Sequence, residues 1–241
     1  MAPVKSINIT ANDQIVISVY KNICYEFTKY RNLSLENPIM EDSTFSEEVF
    51  NKGHVVIKCN FTSIKENNGK NKNTYIILYH FIMSDQLKAA DIKKMINKLK
   101  SQEGDNSFDI IFITQNSVST HLGNYIKEYL ISSNSDREKI SCMFEHDETY
   151  CNCHKNNIYT YTYYNFIITV PKHILVPDYK VLSKEESNEV IRQLYTKKSM
   201  LPKIKRNDPC VIWSSGNIGD IIQFTRNDEV TGKSIYYRVI V

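Results

Sequence analysis

Five soft ligands crowd one polar tract: Cys142, His146, Cys151, Cys153 and His154. Thiolates and imidazoles this close in sequence are the raw material of a tetrahedral zinc site. Their spacing, however, is Cys-x-Cys-His with one distant Cys. Tetrahedral chelates close well on paired Cys-x-x-Cys steps, which this tract lacks. It therefore reads as a solvated insertion, and no metal is expected. A second chemistry is metal-assisted phosphodiester cleavage, which needs convergent carboxylates. Asp91-x-Lys93 supplies half of such a set. Asp91 falls on a predicted helix and no second carboxylate stands at a strand end nearby, so a solvated helix face is the better reading. No Gly-rich phosphate loop, Gly-x-Ser-x-Gly or His-Glu-x-x-His occurs. No catalytic set emerges, and no cofactor or small-molecule substrate is expected.

Two basic clusters remain. Lys93, Lys94, Lys98 and Lys100 form one; Lys197, Lys198, Lys203, Lys205 and Arg206 form the other. Such faces follow phosphates without reading sequence. The net charge of +3 over 241 residues is too mild to mark a free-standing duplex binder. With 41% hydrophobic and 24% charged residues the chain is ordinary globular material, enough for one large domain or two small ones. No apolar run is long enough to cross a membrane, and Met1 to Asn12 has no apolar stretch of signal length. The sequons at Asn8, Asn32 and Asn60 then read as chance, and the 6 cysteines as reduced thiols. Heavy use of Asn, Lys, Ile and Tyr, with few Gly, points to an AT-rich gene.

These residues must be carried by elements. Ile15, Val19, Ile23, Phe27 and Tyr30 predict one amphipathic helix over 13–31. Thr44 with Glu47 suits a capping box for a short second helix. Val55, Ile57, Cys59 and Phe61 alternate, which predicts a half-buried strand over 54–62. A polar turn through Asn68-Gly69 leads to a nearly continuous apolar strand over 74–82, expected at the centre of a sheet. A helix over 91–100 buries Ile92, Met95, Ile96 and Leu99; a strand follows over 108–114. A helix over 119–131 turns Leu122, Tyr125, Ile126 and Tyr129 inward. Residues 132–157 read as a loop, and 158–170 as one long strand or two short ones. Helices alternating with buried strands predict a layered sheet with helices on its faces.

From Pro171 the texture changes. Pro171, Pro177, Pro202 and Pro209 punctuate the chain. Ser183 with Glu186 forms a capping box that opens a helix presenting Val190, Ile191 and Leu194 and ending at Leu201-Pro202. Three strands are expected after Pro209: 210–213, 220–225 and 234–241. Residues 227–233 read as the hairpin loop between the last two. Gly219 and Gly232 suit turns of positive φ. Tyr237 and Arg238 must point to opposite faces of the last strand.

This last third resembles the RNA polymerase subunit called H in archaea and subunit five in eukaryotic enzymes. The blocks run in order: Val170-Pro171-Lys172-His173-Ile174-Leu175-Val176-Pro177, then the capped helix with Glu185-Glu186. Leu201-Pro202-Lys203-Ile204, Asp208-Pro209 and Gly219-Asp220 come next. Arg226, Glu229, Gly232, Ile235, Tyr237 and Arg238 close the set. There are departures. Asn227 and Asp228 replace a Pro and a Ser usual in the family, the Arg of an Arg-aromatic pair near Ile212-Trp213 is missing, and a glycine expected near Ser215 stands at Gly216. The first 168 residues resemble, mainly in element order, the extra N-terminal jaw domain of the eukaryotic members.

The resemblance implies an α/β N-terminal jaw domain over 1–168, a layered sheet with helices on its faces, and a small α+β C-terminal assembly domain over 169–241. It implies a non-catalytic subunit of a multisubunit DNA-dependent RNA polymerase. Such a subunit docks on the largest subunit and contributes to the downstream-DNA jaw during transcription. The docking residues it implies are His173, Pro177, Pro202, Asp208, Pro209 and Trp213, followed by Gly219, Arg226, Gly232, Tyr237 and Arg238. Aromatic and Arg side chains dominate many interfaces, so Trp213, Tyr237 and Arg238 are the expected anchors. The DNA-facing residues implied are Gln115, Asn116, Ser117, Ser119 and Thr120. The AT-rich composition and the divergence suggest a version from a large DNA virus, at work in a host cytoplasmic factory or virion, or in a nucleus if cellular. A free-standing nuclease-like enzyme and a free DNA-binding transcription factor are the alternative readings.

Overall fold

The computed structural model describes residues 11–61, 73–80, 88–104, 108–115, 119, 122–126, 157–228 and 232–241. The chain divides into two compact units, Met1–Ser133 with Lys155–Ile168, and Asn134–His154 with Thr169–Val241.

The first unit is built on a five-stranded sheet. Helix α1 (Ala11–Asn22) runs through a π-helical turn (Ile23–Phe27) into a final turn (Thr28–Tyr30). Then come β1 (Leu33–Leu35), α2 (Asp42–Lys52), β2 (His54–Phe61), β3 (Asn73–Tyr79), α3 (Ala89–Glu103), β4 (Phe108–Thr114) and β5 (Asn157–Thr162). The strands lie in sequence order. β1, β2 and β3 pair antiparallel, and β3, β4 and β5 pair parallel. Parallel neighbours need a crossover, and α3 supplies the one between β3 and β4. Alternation then divides the core. Tyr75, Ile77, Ile110, Phe112 and Ile158 pack with Ile92, Met95, Ile96 and Leu99 of α3 and with Leu122 and Ile126 of a helical segment at 122–126. On the other face, Leu78 pairs in register with Val55 and Ile113, and Ile113 with Tyr161. There Arg31 donates to the Tyr161 hydroxyl at 3.2 Å and lies 4.7 Å from the Phe27 ring centre, which brings the end of the α1 run onto that face.

Several sequence expectations change here, each for a local reason. The buried stripe of α1 is Val16, Val19, Tyr20, Ile23, Cys24 and Phe27, with Ile15 at its margin. The π turn inserts one residue into the helical repeat and rotates Tyr30 off the stripe. α2 opens at Asp42, so Thr44 sits inside its first turn and the Thr44–Glu47 box is not formed. The expected strand over 158–170 stops at Thr162. Asn165 Oδ1 accepts from the Thr162 amide at 3.2 Å and from its hydroxyl at 2.9 Å, closing a 3-10 turn at Tyr163–Phe166.

The second unit has β6 (Asp178–Val181), α4 (Lys184–Gln193), β7 (Lys203–Ile204), α5 (Pro209–Ser214), β8 (Ile221–Asp228) and β9 (Gly232–Ile240). Its sheet runs β6-β8-β9-β7, antiparallel except for β7 with β9. Apolar side chains cover both faces. Ile221 and Val239 pack with Leu182, Leu201 and Val190 of α4; Ile222, Phe224 and Ile240 pack with Ile204 and Val211 of α5.

The Ser183–Glu186 box is formed reciprocally. The Glu186 amide donates to Ser183 Oγ at 3.2 Å, and Glu186 Oε2 accepts from the Ser183 amide at 2.9 Å. The helix ends at Gln193, well before Leu201-Pro202, because Tyr195 turns left-handed at φ 50. The expected strand over 210–213 is helix α5. Asp208 Oδ1 caps the Cys210 amide at 2.9 Å, and Pro209 brings a helix-ready φ to the first position. A four-residue apolar run has no period of its own to show which it is. The strands of the last hairpin pair as far as Asp228 with Gly232, beyond the limits expected for them.

Candidate functional site

The second unit is positioned by short-range devices. Gly219 adopts φ 89, and its amide donates to the Ile240 carbonyl at 2.9 Å. The Pro202 carbonyl accepts from the Val239 amide at 2.8 Å, which ties the chain after α4 to β9. Gly232 turns the hairpin at φ 75. Asp208 and Pro209 start α5, which packs beside the 3-10 turn at Val170–Lys172. Gly216 stands where a side chain would force a neighbour to move: a Cβ there would stand 2.4 Å from Ile240 Cδ1. Ser215 occupies the left-handed position that ends α5, at φ 60. This gives physical sense to the offset between Ser215 and Gly216: one needs the backbone freedom, the other the missing side chain.

Trp213 does not serve as a surface anchor. It is 0% exposed, and helix formation at 209–214 turns it into the core of the unit. Tyr237 is half-buried against the cluster of Ile221 and Val239. Arg238, one residue on, is exposed on the opposite face, with its guanidinium 5.8 Å from the Tyr236 ring centre and 6.0 Å from that of Phe224. Arg226 is exposed further along β8. His173 is exposed in a fixed turn: the Val176 amide donates to its carbonyl at 2.9 Å and the Leu175 amide to its Nδ1 at 3.3 Å. That turn presents Ile174 and Leu175 at 95% and 80% exposure, and half-buried Pro177 closes it. The hairpin thus carries Arg226 and Arg238 on one face, Tyr237 on the other and Gly232 at its turn, while Pro202, Asp208, Pro209, Trp213 and Gly219 shape the frame. Phe224 and Tyr236 were not legible as site residues. They are twelve positions apart, and only register joins them.

In the first unit, Gln115 and Ser119 are exposed beyond β4, and Ser119 Oγ accepts from the Leu122 amide at 3.4 Å. Asn116, Ser117 and Thr120 lie outside the described residues, as do Cys142, His146, Cys151, Cys153 and His154. Asp91 is tied to its own helix, where it accepts from the Lys88 amide at 3.4 Å. Lys93, Lys94, Lys98 and Lys100 are exposed. At the other end of α3, Glu103 accepts from the Tyr75 hydroxyl and from Asn73 Nδ2 at 2.8 Å, with Lys58 Nζ at 3.7 Å. Burial alone would raise the Glu103 carboxyl. The two hydrogen bonds and the ammonium outweigh it and hold the group below the usual carboxylate range. Burial pushes the Cys24 thiol to about 11 and those of Cys59 and Cys210 to about 12, which leaves them packed and unreactive at neutral pH. Among the described residues no cluster of His, Cys, Asp or Glu could hold a metal ion.

The second unit is a small α+β module with capped helices, a four-stranded sheet and a hairpin that exposes two arginines. The comparisons with known proteins give that module its family. Residues 168–240 match the family model of RNA polymerase Rpb5, C-terminal domain. DNA-directed RNA polymerase subunit Rpo5 of Archaeoglobus fulgidus is 44% identical over 69 residues, which is 29% of this chain and 91% of the relative. The Rpo5 subunits of Nitrosopumilus maritimus and Thermococcus kodakarensis are 39% identical over 74 residues and 38% over 69, covering 89% and 84% of those proteins. The chain belongs to this Rpb5/Rpo5 family of RNA polymerase subunits. Its function is that of a non-catalytic subunit, and it is not an enzyme.

Proposed function

We propose that the chain docks on the largest subunit of a DNA-dependent RNA polymerase through residues 169–241, and that residues 1–168 act as a jaw beside the downstream duplex. One observation carries the reading: the family match at 168–240 coincides with one compact unit that has its own sheet, helices and caps. Docking falls to the groups that unit exposes, His173, Arg226 and Arg238, with half-buried Pro177 closing the His173 turn and half-buried Tyr237 on the other face of β9. Pro202, Asp208, Pro209, Trp213, Gly219 and Gly232 hold them in place. The DNA-facing part falls to the stretch after β4, of which Gln115 and Ser119 are exposed. Other polymerase subunits are further partners. The AT-rich composition supports a large DNA virus as the source, with work in a host cytoplasmic factory or virion; a cellular version would act in a nucleus.

Co-expression with the largest subunit tests the division of roles. Full-length chain and residues 166–241 are expected to be retained to similar extents, and residues 1–165 not at all. Retention of 1–165 without 166–241 would reverse the assignment.

A further inference from the structure

The β8–β9 hairpin carries a face that is organised but incomplete. Register pairs Ile222 with Arg238, Phe224 with Tyr236 and Arg226 with Ser234, so all six share one side of the sheet. Toward its core end this side is covered by α5. At the edge of that cover the rings of buried Phe224 and half-buried Tyr236 stack with centres 5.1 Å apart and planes 7° from parallel. The Arg238 guanidinium lies over both rings. Arg226 and Arg238 are exposed, and neither meets a carboxylate among the described residues. Lys180 and Arg192 of the same unit do: they pair with Glu186 and Glu189. The unit is also unbalanced, with twelve Lys and Arg against eight Asp and Glu over residues 169–241.

We propose that this face receives a carboxylate-bearing segment of the protein partner, with acidic side chains engaging Arg226 and Arg238 on either side of the Phe224–Tyr236 stack. The inference rests on the docking reading above and names the chemistry of the partner's side. The Arg238 guanidinium lies within 6.0 Å of both ring centres, where the ring quadrupoles attract it, and its fork of N–H groups matches a carboxylate in bidentate fashion. Arg226 pairs four residues from Arg238 along β9, a span of about 13 Å at 3.3 Å per residue. An extended segment with acidic residues two or four positions apart presents them on one side across that span. Between them, half-buried Tyr236 is the apolar surface that the segment would cross. A phosphate backbone would need a longer cationic track than two arginines provide.

The test uses the full chain co-expressed with the largest polymerase subunit. Arg226→Gln with Arg238→Gln should lower capture about tenfold or more, as loss of central arginines does at many interfaces. Arg238→Lys, which keeps the charge and loses the fork, should fall between. Lys233→Gln removes the same charge from the other side of β9 and should leave capture unchanged. Each variant is checked by its thermal melt; if the double variant melts early, the ranking of Arg238→Lys against Lys233→Gln reads the same question in folded protein. Equal capture of wild type and of the folded arginine variants overturns the inference alone. Unchanged capture with loss of retention on duplex DNA overturns it in favour of phosphate. A wild type that captures nothing overturns the docking reading, and the inference falls with it.

Discussion

The two units lay a cation over an aromatic ring in the same way and then diverge. Lys58 of β2 sits 5.9 Å from the Tyr75 ring centre and also lies 3.0 Å from Glu36 and 3.7 Å from Glu103. The Glu36 hydrogen bond is the main reason its ammonium is held above the ordinary lysine range. Arg238 of β9 sits over Phe224 and Tyr236 with no such carboxylate among the described residues. The first arrangement is closed and adds to the stability of its own unit. The second leaves its guanidinium to solvent, which is what the proposed docking surface requires.

The contrast can be broken or sharpened by substitution. The largest effect is expected from Trp213→Ala, which empties the centre of the second unit. It should cost about 3–5 kcal/mol and abolish docking by unfolding that unit, read by loss of its melting transition. Glu103→Ala should cost about 1.5–3 kcal/mol at neutral pH, because Tyr75, Asn73 and Lys58 lose a charged acceptor. The pH dependence follows from the lowered Glu103 pKa. Its stabilisation is complete above the unfolded value of about 4.3 and is lost as pH falls through the lower folded value. The gap between wild type and variant should therefore narrow in denaturant melts as pH falls below about 4.3. Gly216→Ala should cost about 1–3 kcal/mol, since Ile240 is itself buried and can yield only by strain. Ser215→Gly should work the other way and stabilise by about 0.5–1 kcal/mol, because glycine bears the left-handed φ without penalty. If Glu103→Ala weakened capture of the largest subunit while Arg238→Gln did not, the contrast drawn between the units would be inverted.

What was legible in the sequence followed from periodicity long enough to count and from caps with defined chemistry. The strand at 108–114 and the Ser183–Glu186 box were read at the residues where they stand. The limits were physical as well. The run Val211-Ile212-Trp213 is too short to declare helix or strand, and only Asp208 with Pro209 tips it. The π turn at Ile23–Phe27 and the Asn165 turn that ends β5 are local hydrogen-bonding choices that apolar spacing does not encode. Tyr237 and Arg238 were separable by alternation, and the structure places them on opposite faces. The burial of Trp213 was not legible, because an interface anchor and a core residue can share one composition. The Phe224–Tyr236 stack depended on a hairpin register that pattern alone does not fix.

If this chain works inside a polymerase, the polymerase must accompany it. The most direct measurement is affinity purification of the tagged full chain from its native cell or particle, followed by quantification of what accompanies it. The two large polymerase subunits should be recovered in amounts near-equal to the chain. Recovery of the chain alone, under conditions that keep polymerase intact, would contradict it.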